Sequence, residues 1–190
     1  MFKDRTTATV AGVAGVAIVI MIIATLTAPS QGNPALVPTV GVGTQIAASQ
    51  LTMTQSPNSS NPLDAGAAFL ANNAKDPDVH TTPSGLQYKI VKQGTGPKPV
   101  ETDTVTVNYK GTLIDGTVFD SSYDRGQPAT FALTQVIPGW TEGLQYMPVG
   151  STYMFYIPSG LGYGAQSMGD KLPANSTLIF QVDLLSIQGK

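Results

Sequence analysis

The first part of the chain is distinguished by a long apolar run without charge. Residues 6–28 carry no charged side chain, and Val10–Ile23 consists mainly of Val, Ala, Ile and Met. A run of about 20 apolar residues matches the hydrocarbon core of a bilayer. Lys3 and Arg5 precede the run, so the positive-inside rule places the N-terminus in the cytoplasm. The pattern predicts a transmembrane segment within residues 1–28, retained as a signal anchor, with a cleaved signal peptide as the alternative.

Residues 29–62 show neither the period of a helix nor that of a strand. They contain no charge and are rich in Pro, Ser, Thr, Gln, Asn and Gly. Such a stretch buries too little apolar surface to offset the entropy of ordering it, which predicts a flexible linker. The alanine-rich residues 63–76 then predict a short helix, with Asp64 as its N-cap and Pro77 directly behind it.

Residues 84–190 alternate between apolar and polar positions, as half-buried strands do. Val105, Val107 and Tyr109, for example, alternate with polar neighbours, which is the period of a strand. Strands are predicted at Leu86–Lys92, Thr104–Thr112, Thr130–Leu133, Thr152–Ile157 and Thr177–Ile187.

One helix is predicted among these strands, at Pro138–Met147. Proline is favoured at a first helical position, and Trp140, Leu144 and Met147 have the spacing of a single helix face. One amphipathic helix against an antiparallel sheet of about five strands gives an α+β domain.

Composition excludes several kinds of chemistry. The chain has 10 basic and 12 acidic residues, a net charge of −2, so it offers no basic field for nucleic acid. It has no cysteine and a single histidine, His80, in a stretch whose composition indicates a solvated connector. We therefore expect no cysteine or histidine nucleophile system, no metal site and no cofactor.

Aromatic residues are concentrated in the predicted domain. The single tryptophan, Trp140, lies at a strand-to-helix junction, and Tyr163 stands between two glycines. Aromatic side chains that face an amphipathic helix usually form plain core, and a binding pocket is the alternative. Asp120, Asp124 and Arg125 are likewise more often a loop ion pair than a site. The residues alone leave both questions open.

Several motifs occur in order over residues 84–188. They are TVTVNYKGT at 104–112, DGTVFDSS at 115–122, VIPGWTEGL at 136–144, MPVG at 147–150, YIPSGLGYGA at 156–165, LPA at 172–174 and LIFQVDLL at 178–185. Together they resemble the FKBP-type peptidyl-prolyl cis/trans isomerases over the whole domain. AFLANNA at 68–74 and TPSGLQYKI at 82–90 are similar to the bacterial macrophage infectivity potentiator subgroup. In that subgroup a helical dimerisation region precedes the isomerase, and only the end of that region is recognisable here.

The resemblance implies a curved antiparallel sheet wrapped around one short helix, with a pocket between them. By matching position, the catalytic residues would be Tyr109, Asp120, Tyr163 and Ile137, and the substrate-binding residues Phe119, Arg125, Val136, Trp140, Leu172 and Phe180. Trp140 would form the floor under the substrate proline. The hydroxyl of Tyr163 and the backbone N–H of Ile137 would bind peptide carbonyls, and Asp120 would place a polar group beside the twisting amide.

The resemblance also implies a function: rotation of X–Pro bonds in extracytoplasmic proteins, which assists their folding. The implied partners are proline-containing unfolded or partly folded proteins and macrolide ligands, and the isomerase domain is expected to be monomeric. The expected location is the bacterial inner membrane with the catalytic domain on the periplasmic side, or the soluble periplasm after signal cleavage. The alternatives are a chaperone or peptide-binding module with little turnover, and an envelope protein that uses a decayed isomerase fold.

Overall fold

The computed structural model describes residues 61–189. The helices are α1 (Pro62–Asn73) and α2 (Pro138–Leu144), and the strands are β1 (Val79–Thr81), β2 (Gln87–Lys92), β3 (Thr104–Thr112), β4 (Val118–Ser121), β5 (Ala129–Ala132), β6 (Thr152–Ile157) and β7 (Leu178–Ile187). The predicted anchor and nearly all of the predicted linker lie outside the described residues. Within residues 61–189, no helix is both long and apolar enough to cross a membrane.

All strands belong to one antiparallel sheet in the order β1-β2-β6-β7-β3-β4, with β5 also paired to β3. Strand β3 organises the sheet because it pairs with three others. Its whole length lies against β7, its first half pairs with β5 and its second half with β4. The alternating buried positions of β3 and β7 face α2 and form the core.

The sheet has seven strands, so the prediction of about five strands was too low. The five predicted strands are present, each within one residue of its expected bounds at either end. The two that were missed are short: β1 has 3 residues and β4 has 4. Neither alternates between buried and exposed positions: β1 has no buried residue, and three of the four residues of β4 are buried. His80 therefore lies in an edge strand opposite Tyr88, not in a connector, and its ring is 5.0 Å from the ring of that tyrosine.

Helix α2 lies unusually close to strand β6. A Cβ atom added to Gly139 would be 2.6 Å from Ile157 Cγ2, and one added to Gly143 would be 2.7 Å from Phe155 Cε1. These two glycines therefore allow the helix to pack this closely against the sheet. The helix ends at Leu144, three residues before the predicted end, and Met147 N donates to Leu144 O in a tighter turn. Pro148 has no N–H to donate to Leu144 O, which is the hydrogen bond that would continue the helix.

Helix α1 docks on the face of the sheet opposite to α2. Its buried residue is Gly66, whose Cα hydrogens face Thr177 just ahead of β7. Phe69 contacts the ring of Tyr156 at 6.0 Å, and Gln87 Nε2 donates to Leu70 O at 3.0 Å. The predicted N-cap, Asp64, was wrong. Asn61 caps the helix, and Asp64 lies in the first turn, because Pro62 takes the first helical position.

Candidate active site

Trp140 lies at the centre of an aromatic cluster between α2 and the sheet. Its ring is met edge-on by Tyr109 at 5.2 Å, by Phe131 at 5.7 Å and by Phe180 at 5.2 Å. Phe119 in turn meets Phe180 edge-on at 5.4 Å. Edge-to-face contacts of this kind fix the orientation of each ring. The rings that hold the tryptophan in place thus come from four strands, β3, β4, β5 and β7.

Gly111 makes the space for two of these rings. It lies opposite Asp120 of β4 and Phe180 of β7 in the sheet. A Cβ atom at this position would be 2.6 Å from Phe119 Cζ and 2.7 Å from Phe180 Cε1. Any other residue would push the rings out of place. A glycine inside a strand often indicates that a neighbouring group approaches closely, so the sequence does carry a signal for this role.

A buried carboxylate stands beside the aromatic cluster. The side chain of Asp120 is 5% exposed and forms an ion pair with the Arg125 guanidinium. Tyr109 OH donates to Asp120 Oδ2 at 2.5 Å, and Arg125 Nη2 donates to Tyr109 OH at 2.7 Å. Arg125 Cζ also lies 5.4 Å from the centre of the Tyr109 ring. The three side chains form a closed polar triangle. Its hydrogen bonds and ion pair compensate the cost of burying the Asp120 charge.

The same environment keeps two phenols neutral. Burial, and after it the hydrogen bond to Asp120, raises the pKa of Tyr109 well above its usual range. Burial also raises the pKa of Tyr163, with a smaller contribution from the negative charge of Asp120. Both phenols therefore stay protonated at any physiological pH.

The remaining predicted site residues lie in the same core. Ile137 is fully buried in extended conformation immediately before α2, and its carbonyl accepts from Trp140 N at 2.9 Å. Val136 and Tyr163 are each 6% exposed, and Leu172 is 1% exposed. All ten predicted site residues therefore belong to one region of the molecule. Asp124 is exposed and makes no side-chain contact that would bring it into the triangle.

Sequence reasoning missed the residues that fix the turn carrying Arg125. Ser122 is fully buried, and its hydroxyl accepts from Tyr109 N at 2.8 Å. Tyr123 OH donates to Asp183 Oδ2 at 2.5 Å. Neither contact has a signal in the sequence, because each joins residues that are distant along the chain.

The chain is similar to known proteins of one family. The family described as FKBP-type peptidyl-prolyl cis-trans isomerase matches residues 96–185, and the domain amino-terminal to such isomerases matches residues 19–90. The chain is 59% identical over 123 residues to the FKBP-type peptidyl-prolyl cis-trans isomerase FkpA of Aeromonas hydrophila, covering 65% of this chain and 46% of that protein. It is 56% identical over 123 residues to the outer membrane protein MIP of Legionella longbeachae, covering 65% of this chain and 53% of that protein.

Solved structures give the same result. The crystal structure of FkpA from Escherichia coli superposes with a TM-score of 0.64 at 46% identity, over 66% of this chain and 59% of that one. A peptidyl-prolyl cis-trans isomerase from Pseudomonas syringae superposes with a TM-score of 0.63 at 38% identity, over 66% of this chain and 92% of that one. The chain spans about half the length of the curated relatives it matches. It belongs to the family of FKBP-type peptidyl-prolyl cis-trans isomerases.

Proposed function

We propose that this protein catalyses the cis/trans rotation of X–Pro peptide bonds. The observation that carries the proposal is the Asp120–Tyr109–Arg125 triangle, in which the carboxylate and the phenol are buried, beside an aromatic cluster centred on Trp140. An apolar surface next to a fixed polar group is suited to a reaction in which the charge distribution of an amide changes and no bond breaks.

Rotation of a peptide bond meets a barrier of about 18–20 kcal/mol, and uncatalysed X–Pro exchange takes tens of seconds or longer. Resonance stabilises the planar amide, whereas the twisted amide has a localised carbonyl and a pyramidal nitrogen. An apolar pocket disfavours the more polar planar form relative to the twisted one, and fixed donors bind the rotated carbonyl. Lowering the barrier by about 6–8 kcal/mol accelerates the reaction by about five orders of magnitude.

Each site residue has a role in this scheme. The proline ring lies on Trp140, and the hydroxyl of Tyr163 and the backbone N–H of Ile137 bind peptide carbonyls. Asp120 lies beside the twisting amide, where Tyr109 and Arg125 keep its carboxylate fixed. Because these groups are preorganised, little reorganisation is needed when the amide twists. Phe119, Val136, Leu172 and Phe180 form the apolar wall.

The substrates we propose are proline-containing segments of unfolded or partly folded proteins outside the cytoplasm. Two features support this location: the uncharged apolar run near the N-terminus and the likeness to a relative named as an outer membrane protein. We propose a retained inner-membrane anchor with the isomerase domain on the periplasmic side. The same pocket is proposed to bind macrolide ligands.

A pair of matched variants tests the proposal. Asp120→Ala removes the buried carboxylate, whereas Asp124→Ala removes an exposed one four residues away. In a protease-coupled assay of a proline peptide with the full-length chain, we expect Asp120→Ala to lower kcat/KM about 100-fold, as for one preorganised electrostatic contact. Asp124→Ala should leave kcat/KM unchanged.

The chaperone alternative predicts a different outcome. If the pocket only binds polypeptide, the wild-type chain should not accelerate exchange, although it would suppress aggregation of an unfolded protein. An equal loss of kcat/KM in Asp120→Ala and Asp124→Ala would also contradict the proposed role of Asp120.

A further inference from the structure

Tyr123 ties the turn between β4 and β5 to the outer face of the sheet. Its hydroxyl donates to Asp183 Oδ2 at 2.5 Å. The other oxygen of the same carboxylate accepts from Thr152 Oγ1 at 2.6 Å. Asp183 on β7 thus receives one hydroxyl from the turn and another from β6. Hydrogen bonds to an ionised carboxylate are stronger than those between neutral groups.

This turn carries Arg125, two residues after Tyr123. At its start, Ser122 N donates to Tyr109 O at 2.9 Å, which fixes the turn to β3. In its middle, Gly126 N donates to Tyr123 O at 3.0 Å, so the backbone position of Tyr123 directly limits that of the residues around Arg125. The Arg125 side chain is 33% exposed. It therefore depends on the turn for its position more than a fully buried side chain would.

The side chain of Asp183 lies on the face of the sheet opposite to Trp140. Along β7 the residues on either side of it, Val182 and Leu184, are fully buried and face the core. Successive side chains of a strand point to opposite faces, so Asp183 faces outward, away from Trp140. An effect of the Tyr123–Asp183 contact on turnover must therefore pass through the turn.

We propose that Tyr123 and Asp183 are positioning residues that hold the Arg125 turn and thereby the geometry of the Asp120–Tyr109–Arg125 triangle. The inference rests on the proposed isomerase function for its kinetic consequence. If the turn loosens, Arg125 leaves the carboxylate part of the time, and Asp120 no longer presents a fixed charge to the twisting amide. The edge-on contacts of Phe131 and Phe180 with Trp140 do not involve Arg125.

Tyr123→Phe in the full-length chain tests the proposal, with Tyr146→Phe as the control. Tyr146 is another half-exposed tyrosine, 37% exposed against 42% for Tyr123, and it lies on the turn after α2. We expect Tyr123→Phe to lower kcat about fivefold, because Arg125 then leaves the Asp120 carboxylate only part of the time, with KM unchanged. Asp183→Asn, which keeps an accepting oxygen, should retain most of the activity, and Asp183→Leu should lose as much as Tyr123→Phe.

A second measurement separates this inference from the proposed function. The ¹⁵N relaxation of Arg125 Nε–Hε reports the order of the side chain without any substrate. We expect the order parameter to fall in Tyr123→Phe and Asp183→Leu and to stay at the wild-type value in Tyr146→Phe. A wild-type chain without turnover would refute the isomerase function, while the Arg125 measurement would still decide the positioning role.

Three results would overturn the proposal. An unchanged Arg125 order parameter in Tyr123→Phe overturns it whatever the turnover. A higher KM with unchanged kcat overturns it, since that pattern reports lost ground-state binding. A lower free energy of unfolding with unchanged kcat and unchanged Arg125 order would assign the contact to stability alone.

Discussion

Asp120 is the residue on which the site depends most, because a carboxylate that is 5% exposed must be compensated. Two side chains from different parts of the chain provide the compensation: Tyr109 from β3 and Arg125 from the turn after β4. The sequence alone favoured a simple loop ion pair for Asp120 and Arg125. Tyr109 was predicted as a site residue only from the family resemblance. The triangle itself could not be predicted from the sequence, because Tyr109 comes close to Asp120 only when β3 pairs with β4.

Removing the guanidinium should destabilise the fold. Arg125→Leu leaves the buried Asp120 charge without its ion pair, and we expect the free energy of unfolding to fall by about 2 kcal/mol. This is below the 3–5 kcal/mol found for fully buried pairs, because water still reaches a third of Arg125. Urea denaturation at neutral pH measures the change. Lys98→Leu, at an exposed basic residue, is the control, and an equal loss in both variants would refute the role of the ion pair.

At the scale of elements, a strand could be predicted where apolar and polar positions alternate along it. Strands such as β3 and β7 have long alternating patterns and were predicted almost to the residue. The short strands β1 and β4 were missed because neither alternates between buried and exposed positions. The docking of α1 could not be predicted either, because it depends on the fit of Gly66 against Thr177.

This fit gives a prediction at the level of helix α1. A Cβ atom at Gly66 would be 2.2 Å from Thr177 Oγ1, and Thr177 is 4% exposed, so its side chain has little room to move. Although alanine is favoured over glycine in a helix by about 1 kcal/mol, we expect Gly66→Ala to lower the free energy of unfolding by about 1–2 kcal/mol through overpacking.

Two companion variants make this test specific. Thr177→Gly combined with Gly66→Ala removes the obstructing side chain, so α1 should dock again and resist proteolysis as in the wild type. Gly160→Ala is the control, since an added Cβ there meets nothing within 4 Å. A stabilising effect of Gly66→Ala alone would show that α1 is not docked in this position.

At the scale of the whole molecule, the buried phenols make stability dependent on alkaline pH. Tyr109 and Tyr163 have a raised pKa in the folded protein, chiefly through burial, while in the unfolded chain they ionise near pH 10. Below that pH their contribution to stability is fully present. Above it the unfolded state loses protons that the folded state keeps, so the free energy of unfolding falls as pH rises.

Absorbance of tyrosinate at 295 nm and urea denaturation between pH 9 and pH 12 measure this effect. Tyr123, whose pKa is raised to about 12 by burial and then by the hydrogen bond to Asp183, should ionise before Tyr109 and Tyr163. In Tyr163→Phe, the free energy of unfolding should fall less steeply with pH above about pH 10. A fall that is equally steep in this variant would show that the buried phenol is not its source.

Exchange spectroscopy tests whether the proposed site around Trp140 and Asp120 accelerates X–Pro rotation. NMR of a proline peptide with the full-length chain compares the cis/trans exchange rate with that of the peptide alone, without a coupling protease. We predict that catalytic amounts of the protein bring exchange from tens of seconds into the range of seconds or below, and that a macrolide abolishes the acceleration. An exchange rate equal to that of the free peptide, at protein concentrations where the peptide is bound, would contradict catalysis by this site.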